Sequence, residues 1–290
     1  MNTFLFAGYP KSGNTLLGES LRFAGGIETT PYDIYQIRSK KLNPSPNPIF
    51  NSEICCIKTH DVWRPYSDFH AIYPGKVQKV VVITRNPFDT LLSGINFFRV
   101  TYSRNAGCLP PLHMKSLKCL IPDYVLEGDF LSTFTLEKLR DGGMLDTALI
   151  NFGENGTVFL NFYSMSGTWS DFVLSYDNCG VDVFKISYEE LESISNNSIL
   201  DDSSYLPRLS ELASFLEVDA SVLNKGFALQ KAKVLSKIRS QSQDSVNFFN
   251  KSKSGYWRDF FSRKACRRFL SLHHPAVIRN GYESMVDEFA

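Results

Sequence analysis

Lys11, Ser12 and Gly13 stand in a turn, Gly8-Tyr9-Pro10-Lys11-Ser12-Gly13-Asn14-Thr15, that interrupts an apolar run beginning at Thr3. Helix-like spacing resumes after it at Leu16 and Leu17. A strand, a tight turn and a helix start make an anion site. The first N–H groups of a helix have no carbonyl partner, and the positive end of the helix dipole lies there. Lys11 adds a full positive charge. Gly8-x4-Gly13 has the spacing of the ATP-binding loop GxxxxGK[ST], but Asn14 stands where that motif carries its lysine, and Lys11 comes two residues before Gly13. The turn by itself leaves open which anion it holds.

Three further segments carry chemistry. Arg85-Asn86-Pro87-Phe88-Asp89 follows an apolar run, with Ser93 eight positions beyond Arg85. Pro87 suits the first position of a helix, which places Arg85 at a strand end and Ser93 about two turns into the helix. An arginine fork and a hydroxyl so spaced suit one phosphate. Ile57-Lys58-Thr59-His60 reads as another strand end bearing a cation and a histidine, and an ordinary imidazole titrates near neutral pH. Residues 250–258 are polar and basic around Gly255 and Trp257.

The elements that must position these residues follow from pattern. Val80-Val81-Val82-Ile83-Thr84 is a continuous β-branched run, as in a strand buried on both faces. Residues 55–58 and 181–186 are shorter strand candidates. Helical spacing covers 15–24, 87–98, 169–178, 206–216 and 221–239. Strands alternating with helices predict an α/β fold, a central parallel sheet flanked by helices. Residues 43–48, with three prolines, read as loop, and so does 105–129 with its Pro-Pro pair. A long loop of that kind is often a lid or binding loop. Trp169 reads as a packing residue. No domain boundary is evident, so 1–290 is expected to be one domain.

Composition bounds the partners. The 290 residues are 43% hydrophobic with a net charge of +1, which leaves no bulk field for nucleic acid or an anionic membrane. No apolar run approaches the roughly 20 residues of a membrane span, and no leader pattern opens the chain. The expected location is cytoplasmic. The six cysteines lack metal or redox spacing and are expected to be reduced thiols, mostly buried.

These residues together resemble the cytosolic-type sulfotransferases, which use 3′-phosphoadenosine 5′-phosphosulfate (PAPS) and release PAP. The family's YPKSGTTW loop is similar to Tyr9 through Leu16, its KTH element to Lys58-Thr59-His60, and its RNPKD-and-Ser element to Arg85 through Asp89 with Ser93. Its G-x-W/F helix is similar to Gly167 through Val173, its YEDL element to Tyr188-Glu189-Glu190-Leu191, and its C-terminal RKGxxGDW loop to Asn250 through Trp257. The motifs occur in family order along nearly the whole chain. Asn14 and Leu16 depart from the family's Thr and Trp, which removes an aromatic partner for adenine. Asn250 and Ser252 replace Arg and Gly in the last loop.

The resemblance implies the fold, a P-loop nucleotide-kinase-like sulfotransferase fold, and the roles. His60 is the expected general base. Lys11 and Lys58 stabilise the transferring group, and Ser93 is grouped with them at the catalytic site. Ser12, Gly13, Asn14, Thr15 and Leu16 cradle the 5′-phosphosulfate beside Lys11. Arg85 and Ser93 hold the 3′-phosphate, with Lys251, Ser252 and Lys253 contributing from the last loop. Tyr188 contacts adenine. No metal is called for. The acceptor is a hydroxyl of a small molecule, lipid or glycan. The turn begins at residue 8, earlier than in the animal enzymes, which resembles bacterial tailoring members and assigns the acceptor side to a region of about 100–150, an insertion or lid. A homodimer is compatible with the resemblance. Two other readings stay open from the residues: an ATP-dependent P-loop kinase, and a non-catalytic nucleotide-binding protein of the same fold.

Overall fold

In chain order the elements are β1 (Asn2–Gly8), α1 (Asn14–Ala24), β2 (Ile27–Thr29), β3 (Ile54–Thr59), β4 (Lys79–Thr84), α2 (Pro87–Arg104), α3 (Pro111–Leu120), α4 (Leu136–Asp141), α5 (Met144–Asn155), α6 (Trp169–Ser175), β5 (Asp182–Ser187), α7 (Tyr188–Asn197), α8 (Pro207–Leu216), α9 (Ala220–Ser240), α10 (Arg263–Arg279) and α11 (Glu283–Phe289). The structure is a computed structural model and describes residues 2–25, 27–29, 54–60, 62–63, 77, 79–104, 107–121, 135–155, 167–200, 205–240 and 254–289. Residues 43–48 and the Lys251, Ser252 and Lys253 positions lie outside the described residues. Chain contacts gather into two compact units, residues 1–85 with 175–245 and residues 86–174 with 246–290.

The first unit is built on a five-stranded sheet in the order β2-β3-β1-β4-β5, every pairing parallel. This is the α/β architecture expected from the alternating pattern. Leu5 and Ala7 are buried as fully as Phe4 and Phe6, and Val80 through Ile83 are all buried. Sheets with both faces covered need such continuous apolar strands. Phe4, Phe6, Val81, Ile83 and Ile186 pack against Leu17 and Leu21 of α1, Leu191 of α7, Leu212 of α8 and Phe227 of α9. The packing of α9 on α1 is unusually close. A Cβ at Gly226 would stand 2.2 Å from the Ser20 carbonyl oxygen, so only glycine fits that crossing.

The second unit is helical in its described part. Phe88, Phe152, Trp169, Trp257 and Phe269 form its buried aromatic centre, with Phe88 4.8 Å from Trp257 and 5.3 Å from Phe269 between ring centroids. Trp169 is fully buried, as its packing role required. The expected loop over 105–129 is corrected by α3. Pro111 occupies the first helical turn, where a missing N–H costs nothing, and Ser116, Leu117 and Leu120 turn a buried face inward. The Pro-Pro pair starts a helix there instead of breaking one. Asn86 caps α2 by accepting from the Phe88 N–H at 3.0 Å. The Asp89 carboxylate accepts from the Gly255 N–H at 2.6 Å and the Trp257 N–H at 3.3 Å. The acid of the Arg85–Asp89 segment therefore anchors the chain just after the 251–253 stretch. Of the described cysteines, Cys56, Cys179 and Cys266 are buried free thiols, Cys119 is partly buried and Cys108 is exposed.

Candidate active site

The carboxyl ends of four parallel strands deliver the site of the first unit. Ala7 pairs with Thr59, Gly8 with Ile83, and Thr84 with Ser187. His60, Arg85 and Tyr188 are each the first residue beyond their strand, and the turn from Tyr9 to Gly13 leaves β1 beside them. The register alone brings these sequence-distant residues to one end of the sheet, where open α/β sheets bind ligands.

The turn has a constrained backbone. Lys11 is left-handed at φ 71°, and Gly13 at φ 105°. A Cβ on Gly13 would meet the Tyr188 ring at 2.7 Å, so the second turn glycine is required by both backbone and space. The first bond of α1 runs from the Leu17 N–H to the Gly13 carbonyl at 3.1 Å. The N–H groups of Asn14, Thr15 and Leu16 accordingly face out of the helix start. No side chain caps this end, and no acid lies in its first turn. The dipole thus stays uncompensated. The Ser12 hydroxyl is fully buried and finds no hydrogen-bond partner among the described residues. A buried donor beside outward-facing amides and cations suits an anionic phosphate oxygen.

Three cations gather around this turn. Burial, with the charges of Arg85 and Lys58 nearby, pulls the half-buried Lys11 ammonium down to about 8 from its usual 10.5. The buried Arg85 donates to the Lys11 carbonyl at 3.0 Å and lies 4.2 Å over the Tyr188 ring. Arg85 thereby braces the turn, and Tyr188 serves as its platform. Neither contact follows from the motifs, which place Arg85 at a phosphate and Tyr188 at adenine by resemblance alone. Glu190 holds Tyr188 in place by closing a capping box with Ser187 at the start of α7.

His60 is 9% exposed, and its Nδ1 donates to the Gly8 carbonyl at 2.6 Å. A carbonyl only accepts, so Nδ1 carries the proton and Nε2 holds the lone pair of the neutral ring. Burial and the Lys58 and Lys11 charges pull the imidazole down to about 3, against the smaller opposing effect of the Gly8 bond. The expectation that this ring titrates near neutrality is corrected: burial, together with the charges of Lys58 and Lys11, disfavours a charged imidazole there. His60 is neutral at physiological pH.

The Asn14 side chain has a place of its own beside its backbone N–H. Its side-chain amide donates to the Gly8 carbonyl at 3.1 Å and the Thr59 carbonyl at 3.3 Å, and lies 3.0 Å from His60 Nδ1. Only its backbone N–H faces the helix start. The structure brings Lys11, Ser12, Gly13, Asn14, Lys58, His60, Arg85 and Tyr188 to this end of the sheet. Thr15 is exposed and Leu16 half-buried in the first turn of α1. Ser93 lies on α2 in the second unit and is partly exposed. Among the described residues no helix is long and apolar enough to cross a membrane.

None of the family models and none of the curated protein sequences matches this chain. Solved structures do. The crystal structure of mouse sulfotransferase SULT7A1 complexed with PAP is similar over 99% of this chain and 88% of its own, with a TM-score of 0.57 and 20% identity. With the parallel sheet and the turn after its central strand, this likeness establishes the fold: the chain has the architecture of a sulfotransferase.

Proposed function

We propose that this protein transfers a sulfuryl group from PAPS to an acceptor hydroxyl. One observation carries the reading. A neutral histidine whose Nδ1 proton sits on the Gly8 carbonyl and a turn lined by outward amides, a buried serine hydroxyl and three cations meet at the carboxyl edge of one sheet. An anionic donor and a proton acceptor are what sulfuryl transfer requires. The likeness to a PAP-bound sulfotransferase agrees with it.

In this reading the amides of Gly13 through Leu16 and the Ser12 hydroxyl hold the 5′-phosphosulfate, while the Ser12 N–H closes the turn on the Tyr9 carbonyl at 3.0 Å. Lys11 neutralises the oxygen that leaves with PAP, and Lys58 faces the sulfuryl oxygens. Sulfuryl transfer, like phosphoryl transfer, leaves the protein mainly positioning and charge stabilisation. His60 Nε2 takes the acceptor's proton. Its low basicity in the free protein comes partly from the two lysines. A bound polyanion offsets those charges and raises the basicity of the ring when it is needed. Arg85 and Ser93 are proposed for the 3′-phosphate, with Lys251, Ser252 and Lys253, and Tyr188 for the adenine side. No metal enters this scheme. The acceptor is a hydroxyl compound, and the cytoplasm is the proposed location.

Thermal stabilisation tests the class. PAP and PAPS are expected to stabilise the protein without magnesium, and ATP-magnesium is not. A preference for ATP-magnesium would sink the proposal in favour of a kinase. His60→Ala is expected to lower transfer about 10²–10⁴-fold, the usual share of general-base catalysis, with PAP affinity nearly intact. Full residual transfer removes His60 from the mechanism and leaves a binding protein or another base.

A further inference from the structure

Asn14 occupies the position at which a nucleotide-kinase loop would carry its lysine, yet its side chain turns away from the helix start and into the sheet. It is 5% exposed, at the junction of β1, β3 and α1. Its two N–H groups match two acceptors, the Gly8 carbonyl at 3.1 Å and the Thr59 carbonyl at 3.3 Å. The reversed amide would set Oδ1 against both carbonyl oxygens, so the hydrogen-bond network assigns the orientation. The Gly8 carbonyl is also the one that accepts from His60 Nδ1 at 2.6 Å. With both amide protons spent on carbonyls and the Nδ1 proton spent on Gly8, the 3.0 Å approach of Asn14 to His60 Nδ1 is a packing contact that walls one edge of the ring.

We infer that Asn14 is the positioning residue of His60: it ties the first turn of α1, which presents the anion-binding amides, to the strand end that presents the base. The inference rests on the proposed role of His60. One backbone carbonyl is shared by the amide and the imidazole, so a shift of the turn moves both. A side chain without two donors loses a tie between the start of α1 and the ends of β1 and β3, and opens space beside the ring. A misplacement of about 1 Å at a catalytic group costs on the order of 10²-fold in rate. Asn14 needs no contact with the acceptor to exert that effect.

The test uses three variants of the full chain, with imidazole ¹⁵N resonances read in the ligand-free protein. In the wild type, His60 shows a single Nδ1–H tautomer that stays neutral down to pH 5. In Asn14→Ala the resonance broadens or splits as the ring gains freedom and water. In Asn14→Asp, nearly the same shape, a carboxylate meets Nδ1–H and the ring titrates at higher pH. With PAPS and a simple phenol as probe, kcat falls about 10- to 10²-fold in Asn14→Ala while PAP affinity changes less than about threefold, the split expected when geometry and not binding is lost. Asn14→Thr, which keeps one donor, recovers part of kcat. Unchanged His60 resonances in both Asn14→Ala and Asn14→Asp overturn the inference, whatever the protein transfers. Altered resonances in a protein that PAP does not stabilise uphold the positioning role and remove the sulfotransferase reading instead.

Discussion

His60 and Lys11 show how burial among like charges sets protonation states, and both make measurable predictions. His60 is pulled from 6.5 to about 3. Between those values the unfolded chain binds a proton that the native state does not, so the native protein loses stability as pH falls from 6.5 towards 3. The loss is expected to be on the order of a few kcal/mol by pH 4. His60→Gln removes this component, and urea melts at pH 7 and pH 4 measure it. Lys11, at about 8, is charged at pH 7 and neutral by pH 9.5. PAP affinity is therefore expected to fall roughly tenfold or less across that window, at the scale of one linked proton. Lys11→Arg keeps its charge and flattens the profile, which calorimetry at the two pH values reads out. The bound anion raises the lysine's own pKa, so the midpoint in the complex lies above 8. Neither shift was legible in the sequence. Lys11, Lys58 and His60 are apparent as residue types in suggestive turns, but their mutual repulsion exists only once β1 and β3 pair.

At the scale of elements, α1 links the anion-binding turn to the helical layer. Its start offers the amides, and its body packs on α9 through Gly226. Gly226→Ala would push a methyl to 2.2 Å from a backbone oxygen that has no rotamer to yield. A destabilisation of about 1–3 kcal/mol is expected, towards the upper end, together with weakened PAP binding as α1 shifts. Denaturant midpoints and a PAP titration check both effects; a neutral substitution contradicts the close crossing. Much of the element order was readable from pattern. The β4 run, the helix after Pro87, and α6, α8 and α9 lie where periodicity placed them, whereas α7 was not read as a helix. The α3 helix was not, because prolines at a helix start and prolines in a loop look alike without the buried face that Leu117 and Leu120 provide. In the sequence Asn86 and Asp89 are no more than members of a motif. Their capping and anchoring roles depend on α2 forming and on Gly255 and Trp257 coming to it.

Over the whole molecule, a net charge of +1 gives no long-range pull on a polyanion, so affinity for PAP has to come from the local cluster at the sheet edge. At a hundred times its Kd, PAP is expected to stabilise the protein by about 2.7 kcal/mol, a rise in Tm of roughly 4–5 °C. Calorimetric scans with PAP and with ATP-magnesium measure the difference, and equal shifts contradict the proposed selectivity. The sequence by itself determined the α/β class, the anion-binding turn, and which cations and histidine were available, because strand and helix periods and turn chemistry are local properties of the chain. Only the tertiary structure decided what those residues do to each other. The parallel register set Gly8 beside the β3 end, and that placement put the Nδ1 proton of His60 on a carbonyl. It also turned Asn14 from a loop residue into a brace, and Tyr188 into the platform for Arg85. These outcomes depend on distances between residues dozens of positions apart, which no local pattern encodes.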